Sequence, residues 1–171
     1  EDQARRLALI NEIGRRLSEA SGMEAIFRVV TERLRDLISG DRTSITLLDE
    51  GGESLTIYAL RGTGENLPVG RQFPVAGTIV GRAITERRSL RTDDLTLSDA
   101  TDAILLVRDG YRSNTIAPMI VGNRVLGTLN VGSKRPAAFG EVEERLLTNV
   151  ASFLAATIEN TRLIQRAQEA Q

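Results

Sequence analysis

The sequence predicts an α+β fold in which a central antiparallel sheet of five or six strands is covered by helices. Three observations point to it. Residues 113–131 form two apolar runs joined by Gly122-Asn123, a two-residue hairpin signal because one or both central residues take a positive φ that Gly and Asn tolerate. A second pair of β-rich runs, residues 43–48 and 55–60, is joined by Asp49-Glu50-Gly51-Gly52, where glycine again eases the turn. Both ends of the chain carry apolar residues every three or four positions, the period of an amphipathic helix.

The central hairpin predicts a two-sided sheet. With Val121 and Arg124 closing the turn, Met119/Leu126, Ala117/Thr128, Thr115/Asn130 and Ser113/Gly132 share one face. Ile120/Val125, Ile116/Leu129 and Asn114/Val131 share the other. The second set is mostly branched aliphatic and is expected under packed helices. The first turns small and hydroxyl-bearing away from the turn, as a cavity floor would. Pro118 opposite Gly127 has no N–H to give, so the next strand on that side is expected to be bulged, short or absent there.

In chain order, residues 3–20 form a narrow stripe of Leu7, Ile10, Ile13 or Gly14, and Leu17 on a charged helix. Ser21-Gly22 breaks it. Met23, Ile26, Phe27, Val30, Leu34, Leu37 and Ile38 then give a second helix, ending before Gly40, with a face broad enough to cover the sheet. After the first hairpin, residues 67–74 read as irregular and residues 77–84 as a short glycine-bearing helix whose N-terminus is suited to an anion. Residues 89–91 allow a short edge strand, and residues 102–109 one or two helical turns. Beyond Phe139 the longest helix carries Leu146, Leu147, Val150, Phe153, Leu154, Ile158 and Ile164. Read in sevens, Leu147, Val150, Leu154, Thr157, Thr161 and Ile164 make the seam of a weak coiled coil.

Composition narrows the function. The 171 residues suit one domain, with 1–20 and 156–171 as helical extensions leading to neighbouring domains. Basic and acidic side chains number 22 and 23, a net charge of -1, which argues against bulk attraction to nucleic acid or a membrane surface. Neither Cys nor His occurs, which removes thiolate and imidazole nucleophiles, metal ligands and general bases together. No apolar run approaches the roughly 20 residues of a membrane span. A start at Glu1-Asp2 running straight into helical pattern is read as a piece of a longer cytoplasmic protein.

Tyr111-Arg112-Ser113, Ala117-Pro118-Met119, Gly122 to Arg124, Leu126-Gly127-Thr128-Leu129-Asn130, Ser133-Lys134-Arg135-Pro136, Phe139 and Glu143 together resemble the C-terminal half of GAF domains, small-molecule sensors of signalling proteins. The likeness covers nearly the whole chain. It implies terminal helices on one sheet face, with short helices roofing a ligand pocket on the other. It also implies a non-catalytic sensory module, with cyclic nucleotides among the family's ligands. A salt bridge between Lys134 and Glu143 or Glu144 is implied as scaffold, and Ser133 stands where nucleotide binders often carry Asn. Without Cys or His, the family's covalent bilin attachment and His-ligated haem are unavailable, and any other cofactor is unspecified.

On that geometry Ser44, Thr46, Ser113, Thr115 and Thr128 are candidates for the pocket floor, with Thr78, Asp102 and Arg108 reaching in from the roof. The plainer reading has the hydroxyls satisfying backbone and the charges facing water. Tyr58 and Tyr111 read as packing residues. The terminal stripes predict a homodimer through the terminal helices, passing a signal to an effector in the same polypeptide such as a histidine kinase or cyclase. The alternative is a ligand-free structural dimerisation domain.

Overall fold

The computed structural model describes residues 3–8 and 22–169. Residues 3–8 are helical, and Arg6 lies 3.6 Å from Glu143 as an ion pair. Ile10, Ile13, Gly14 and Leu17 of the expected first stripe lie outside the described residues, whereas Leu7 is exposed. Helix α1 (Gly22–Leu37) leads into β1 (Arg42–Leu48), β2 (Ser54–Arg61) and β3 (Gln72–Pro74). Helix α2 (Ile79–Glu86), β4 (Leu90–Thr92), a 3-10 turn (Leu95–Leu97) and α3 (Thr101–Arg108) precede the hairpin of β5 (Ser113–Val121) and β6 (Arg124–Ser133). Helix α4 (Glu141–Glu169) closes the chain.

All neighbouring strands are antiparallel in the order β3-β2-β1-β6-β5-β4, so the upper expectation of six strands is met. The sixth is β3, within the run read as irregular, where three residues sufficed to pair with β2. Gly122 turns the hairpin at φ 58°, and Val121 pairs with Arg124 as expected. Edge strand β4 reaches only from Asn114 to Ile116 of β5, so the missing N–H of Pro118 faces no strand.

The register beyond the turn corrects the expected faces. Ile120 pairs with Val125 but Met119 with Gly127, so Leu126 is an extra residue on β6. A Cβ at Gly127 would overlap the Thr46 carbonyl oxygen, so glycine lets β1 pack closely beside the bulge. From there on each β6 residue has moved one place. Ala117 pairs with Leu129 and Thr115 with Val131, whereas Ile116 pairs with Asn130 and Asn114 with Gly132. One inserted residue reverses the sharing of faces, because side chains alternate with a period of two.

The core lies in two layers. On one face α1 and α4 cover Ile45, Ala117, Met119, Leu129 and Val131, with Phe27, Leu34, Leu147 and Leu154 fully buried against them. On the other, α2 and α3 cover Leu55, Ile57 and Ile116. Leu147, Val150, Leu154 and Ile158 are thus buried within their own chain, so this part of the stripe expected to hold a dimer is not free for a second copy. The expected Lys134 ion pair also gives way: Glu143 pairs with Arg6, and its carboxylate accepts from Gly140 N at 2.7 Å.

Candidate functional site

The face carrying the cavity is a grid of three strands. Arg42, Gly132 and Asn114 align across β1, β6 and β5; next come Ser44, Asn130 and Ile116, then Thr46, Thr128 and Pro118. Over it α2 and α3 contribute Val80, Asp102 and Leu106, while Leu67 and Phe73 close the side. The cavity measures about 40 Å³, room for about three waters at 10–15 Å³ each.

Arg42 is 5% exposed and its guanidinium donates to two backbone carbonyls, Thr63 O at 3.1 Å and Leu67 O at 2.9 Å. Burial pulls its pKa below the ordinary arginine value, opposed by nearby Tyr111 and Asp109. Asp102, 4% exposed, sits at the roof. Its carboxylate accepts from Ile79 N at 2.9 Å, Val80 N at 3.2 Å and Ala103 N at 3.1 Å. Burial nevertheless raises its pKa above the usual carboxylate value, the backbone donors pulling the other way. Asn130 donates to Ser44 Oγ at 3.1 Å, yet the Oδ1 atoms of Asn114 and Asn130 are buried with no donor.

Of the eight candidates, Ser44, Thr46 and Asp102 line this cavity. The Thr128 hydroxyl lies beside it, shares a 2.7 Å hydrogen bond with Thr46 Oγ1 and is already satisfied. Thr78 caps α2: its Oγ1 accepts from Gly81 N at 2.9 Å and donates to Val75 O at 2.8 Å. The α2 N-terminus, expected to suit an anion, is filled by Asp102 of the same chain. Arg108 is exposed in the last turn of α3 and does not reach in.

Ser113 and Thr115 point away from the cavity because the bulge moved the floor to Asn114 and Ile116. Ser113 Oγ donates to Arg135 O at 2.6 Å and Thr115 Oγ1 to Leu90 O at 3.3 Å. Missed by the sequence were Arg42, Asn114 and Asn130. The one available signal was Gly127 inside an apolar strand, a mark of a bulge. Tyr111 is buried with its hydroxyl donating to Thr63 O at 2.8 Å, and Tyr58 meets the Phe27 ring edge-on at 5.1 Å, so both pack as expected. Among the described residues no cluster of Asp and Glu is placed to hold a metal ion.

A family model described as GAF domain matches residues 20–159. The fold is similar to the GAF domain of a phosphoenolpyruvate-protein phosphotransferase from Coxiella burnetii, at 21% identity and TM-score 0.81, covering 97% of each chain. It is similar to free methionine-R-sulfoxide reductase from Neisseria meningitidis, at 16% identity and TM-score 0.82, covering 96% of this chain and 94% of that one. It also resembles the GAF domain of a two-component sensor histidine kinase from Bacillus halodurans, at 22% identity and TM-score 0.75, covering 85% of this chain and 99% of that one. No curated protein matches the chain.

Proposed function

The chain belongs to the GAF domain family, and from that premise we propose that it is a non-catalytic sensory module: a small molecule enters the cavity between the sheet and α2–α3, and α4 relays the change to an effector in the same polypeptide. The observation that carries this reading is the cavity wall itself. Two buried amide oxygens, Asn114 Oδ1 and Asn130 Oδ1, have no donor within the protein and belong to residues that line a space which a ligand's N–H and O–H groups can enter. The relay is carried by β5, whose alternate residues face the two sides: Asn114 and Ile116 reach the cavity while Ala117 and Met119 lie in the layer that α4 covers. An effector of histidine kinase or cyclase type fits this arrangement, and the sensor histidine kinase neighbour is one such setting.

Catalysis is disfavoured by the side chains at hand. The chain has no Cys or His, and the one cavity carboxylate, Asp102, is engaged by three backbone N–H groups. The methionine sulfoxide reductase likeness, at 16% identity, therefore supports the fold and not the activity.

The dimer is proposed through a side of α4 that keeps only Ile164 of the seam the heptads indicated. Val142, Phe153 and Ile164 recur every 11 residues, three turns, and are 53%, 45% and 58% exposed. A second copy of α4 is the occupant that such a stripe suits, extending over about 33 Å at 1.5 Å per residue.

The size of the cavity favours a second reading, a ligand-free dimerisation domain. At about 40 Å³ it is far below the roughly 300–1,000 Å³ of ordinary ligand sites, and a cyclic nucleotide needs α2 and α3 to lift. Native mass spectrometry of freshly purified full-length protein separates the two. A small molecule retained at one per chain supports the sensor, whereas a bare dimer with no thermal shift from any compound of a metabolite library supports the structural reading.

A further inference from the structure

The cavity holds two buried charges of opposite sign that do not meet. Arg42 enters from the floor and Asp102 from the roof, and among the described residues neither takes part in an ion pair. Arg42 donates to the carbonyls of Thr63 and Leu67, with Tyr111 and Asp109 nearby, and Asp102 accepts from three backbone N–H groups. An isolated charge away from water is costly, and two in one small apolar-walled space create a strong local dipole. Beside them lie the two orphan acceptors, Asn114 Oδ1 and Asn130 Oδ1. The space between Arg42 and Asn114 is open because the residue paired with both is Gly132, which has no side chain to fill it.

We propose that this cavity recognises a small zwitterion of amino-acid size, its carboxylate toward Arg42 and its ammonium toward Asp102 and the Asn114 and Asn130 amide oxygens. The proposal rests on the sensory reading above and narrows its ligand. The ammonium supplies donors to the amide oxygens, and the carboxylate gives the guanidinium an ion pair at contact distance, which Asp109 nearby does not make. A molecule with one charge satisfies one wall and leaves the other unpaired, so both charges are needed for tight binding. The few heavy atoms of a small amino acid also suit a space far smaller than a nucleotide.

Gly132 provides a variant that folds. A Cβ there meets Tyr111 Cδ1 at 3.6 Å and Arg42 Cβ at 3.8 Å, ordinary contacts, and the residue has no positive φ to strain. Gly132→Ala therefore occupies the cavity floor without disturbing the sheet. The experiment is isothermal titration of the full chain with glycine, L-alanine, L-serine and L-aspartate, then with L-alaninamide and propionate, which each lack one charge, and with cyclic AMP and cyclic GMP. The expected result is saturable binding of at least one amino acid, weakened about tenfold or more in Gly132→Ala and by removal of either charge, since each loses charge-assisted hydrogen bonds. The unliganded melting temperature of the variant should stay near that of the wild type. Equal binding of a singly charged analogue, or no effect of Gly132→Ala, overturns the zwitterion. Binding of a cyclic nucleotide alone overturns it and leaves the sensory reading standing. If no probe binds and native mass spectrometry finds no retained molecule, the cavity holds only water and both readings fall.

Discussion

At the scale of single residues, two side chains and one glycine decide the most. Gly122 takes φ 58° at the hairpin tip, a conformation that a β-branched residue resists. Gly122→Val should lower stability by about 1–3 kcal/mol, read as a lower denaturant midpoint, and an unchanged midpoint would contradict the turn. Asp102 predicts a pH dependence. Its raised pKa means that the native state holds a proton longer than the unfolded chain does, so the ionised carboxylate weakens the fold at neutral pH. That penalty fades as pH falls through the raised value toward about 3.9, the unfolded reference. The melting temperature of the wild type should therefore rise relative to Asp102→Asn between neutral pH and about pH 4, and a constant difference would refute the assignment. Ser44, Thr46 and Asp102 were legible in the sequence as cavity residues; Arg42 was not, because a charged residue at a strand start ordinarily faces water, and only the carbonyls of Thr63 and Leu67 reveal its burial.

At the scale of elements, the bulge at Leu126 explains most of what the sequence misled on. Five of the six strands, the turn residues and the shortness of β4 followed from local chemistry and are found within a residue or two, whereas β3 lay in a run read as irregular. A one-residue insertion leaves no mark on apolar periodicity except Gly127, yet it moved Asn114 and Ile116 into the cavity and Thr115 out of it. Thr115→Leu therefore tests packing against β4 and not the site. The terminal helix shows the same limit: a stripe of Leu and Val reads alike whether its partner is a sheet or another helix. Leu147 and Leu154 are fully buried within the chain, and each contributes about 1.5–3 kcal/mol by burial. Leu147→Asp is thus expected to unfold the protein. Phe153→Asp, on the exposed side, should leave the melting temperature almost unchanged while halving the mass seen by light scattering at micromolar concentration; a dimer that persists would place the interface elsewhere.

Over the whole molecule, the sheet is a partition with a small, largely apolar-walled cavity on one side and a long helix on the other. The two-layer architecture was readable from the sequence because helix stripes and hairpins are local features. Which residues of β5 face which layer was not, since that depends on register. The absence of Cys and His left packing, hydrogen bonding and paired charges as the means by which this chain recognises anything. No helix among the described residues is long and apolar enough to cross a membrane, and α4 packs its apolar side against the sheet. The central claim is that filling the cavity is felt along α4 through the alternating residues of β5. Amide hydrogen exchange of the full-length protein, with and without a saturating amino acid that binds in the titrations, tests it most directly. The account predicts slower exchange in α2 and α3 together with a change in α4 between Leu147 and Ile164; slower exchange confined to the roof, with α4 unaltered, would contradict it.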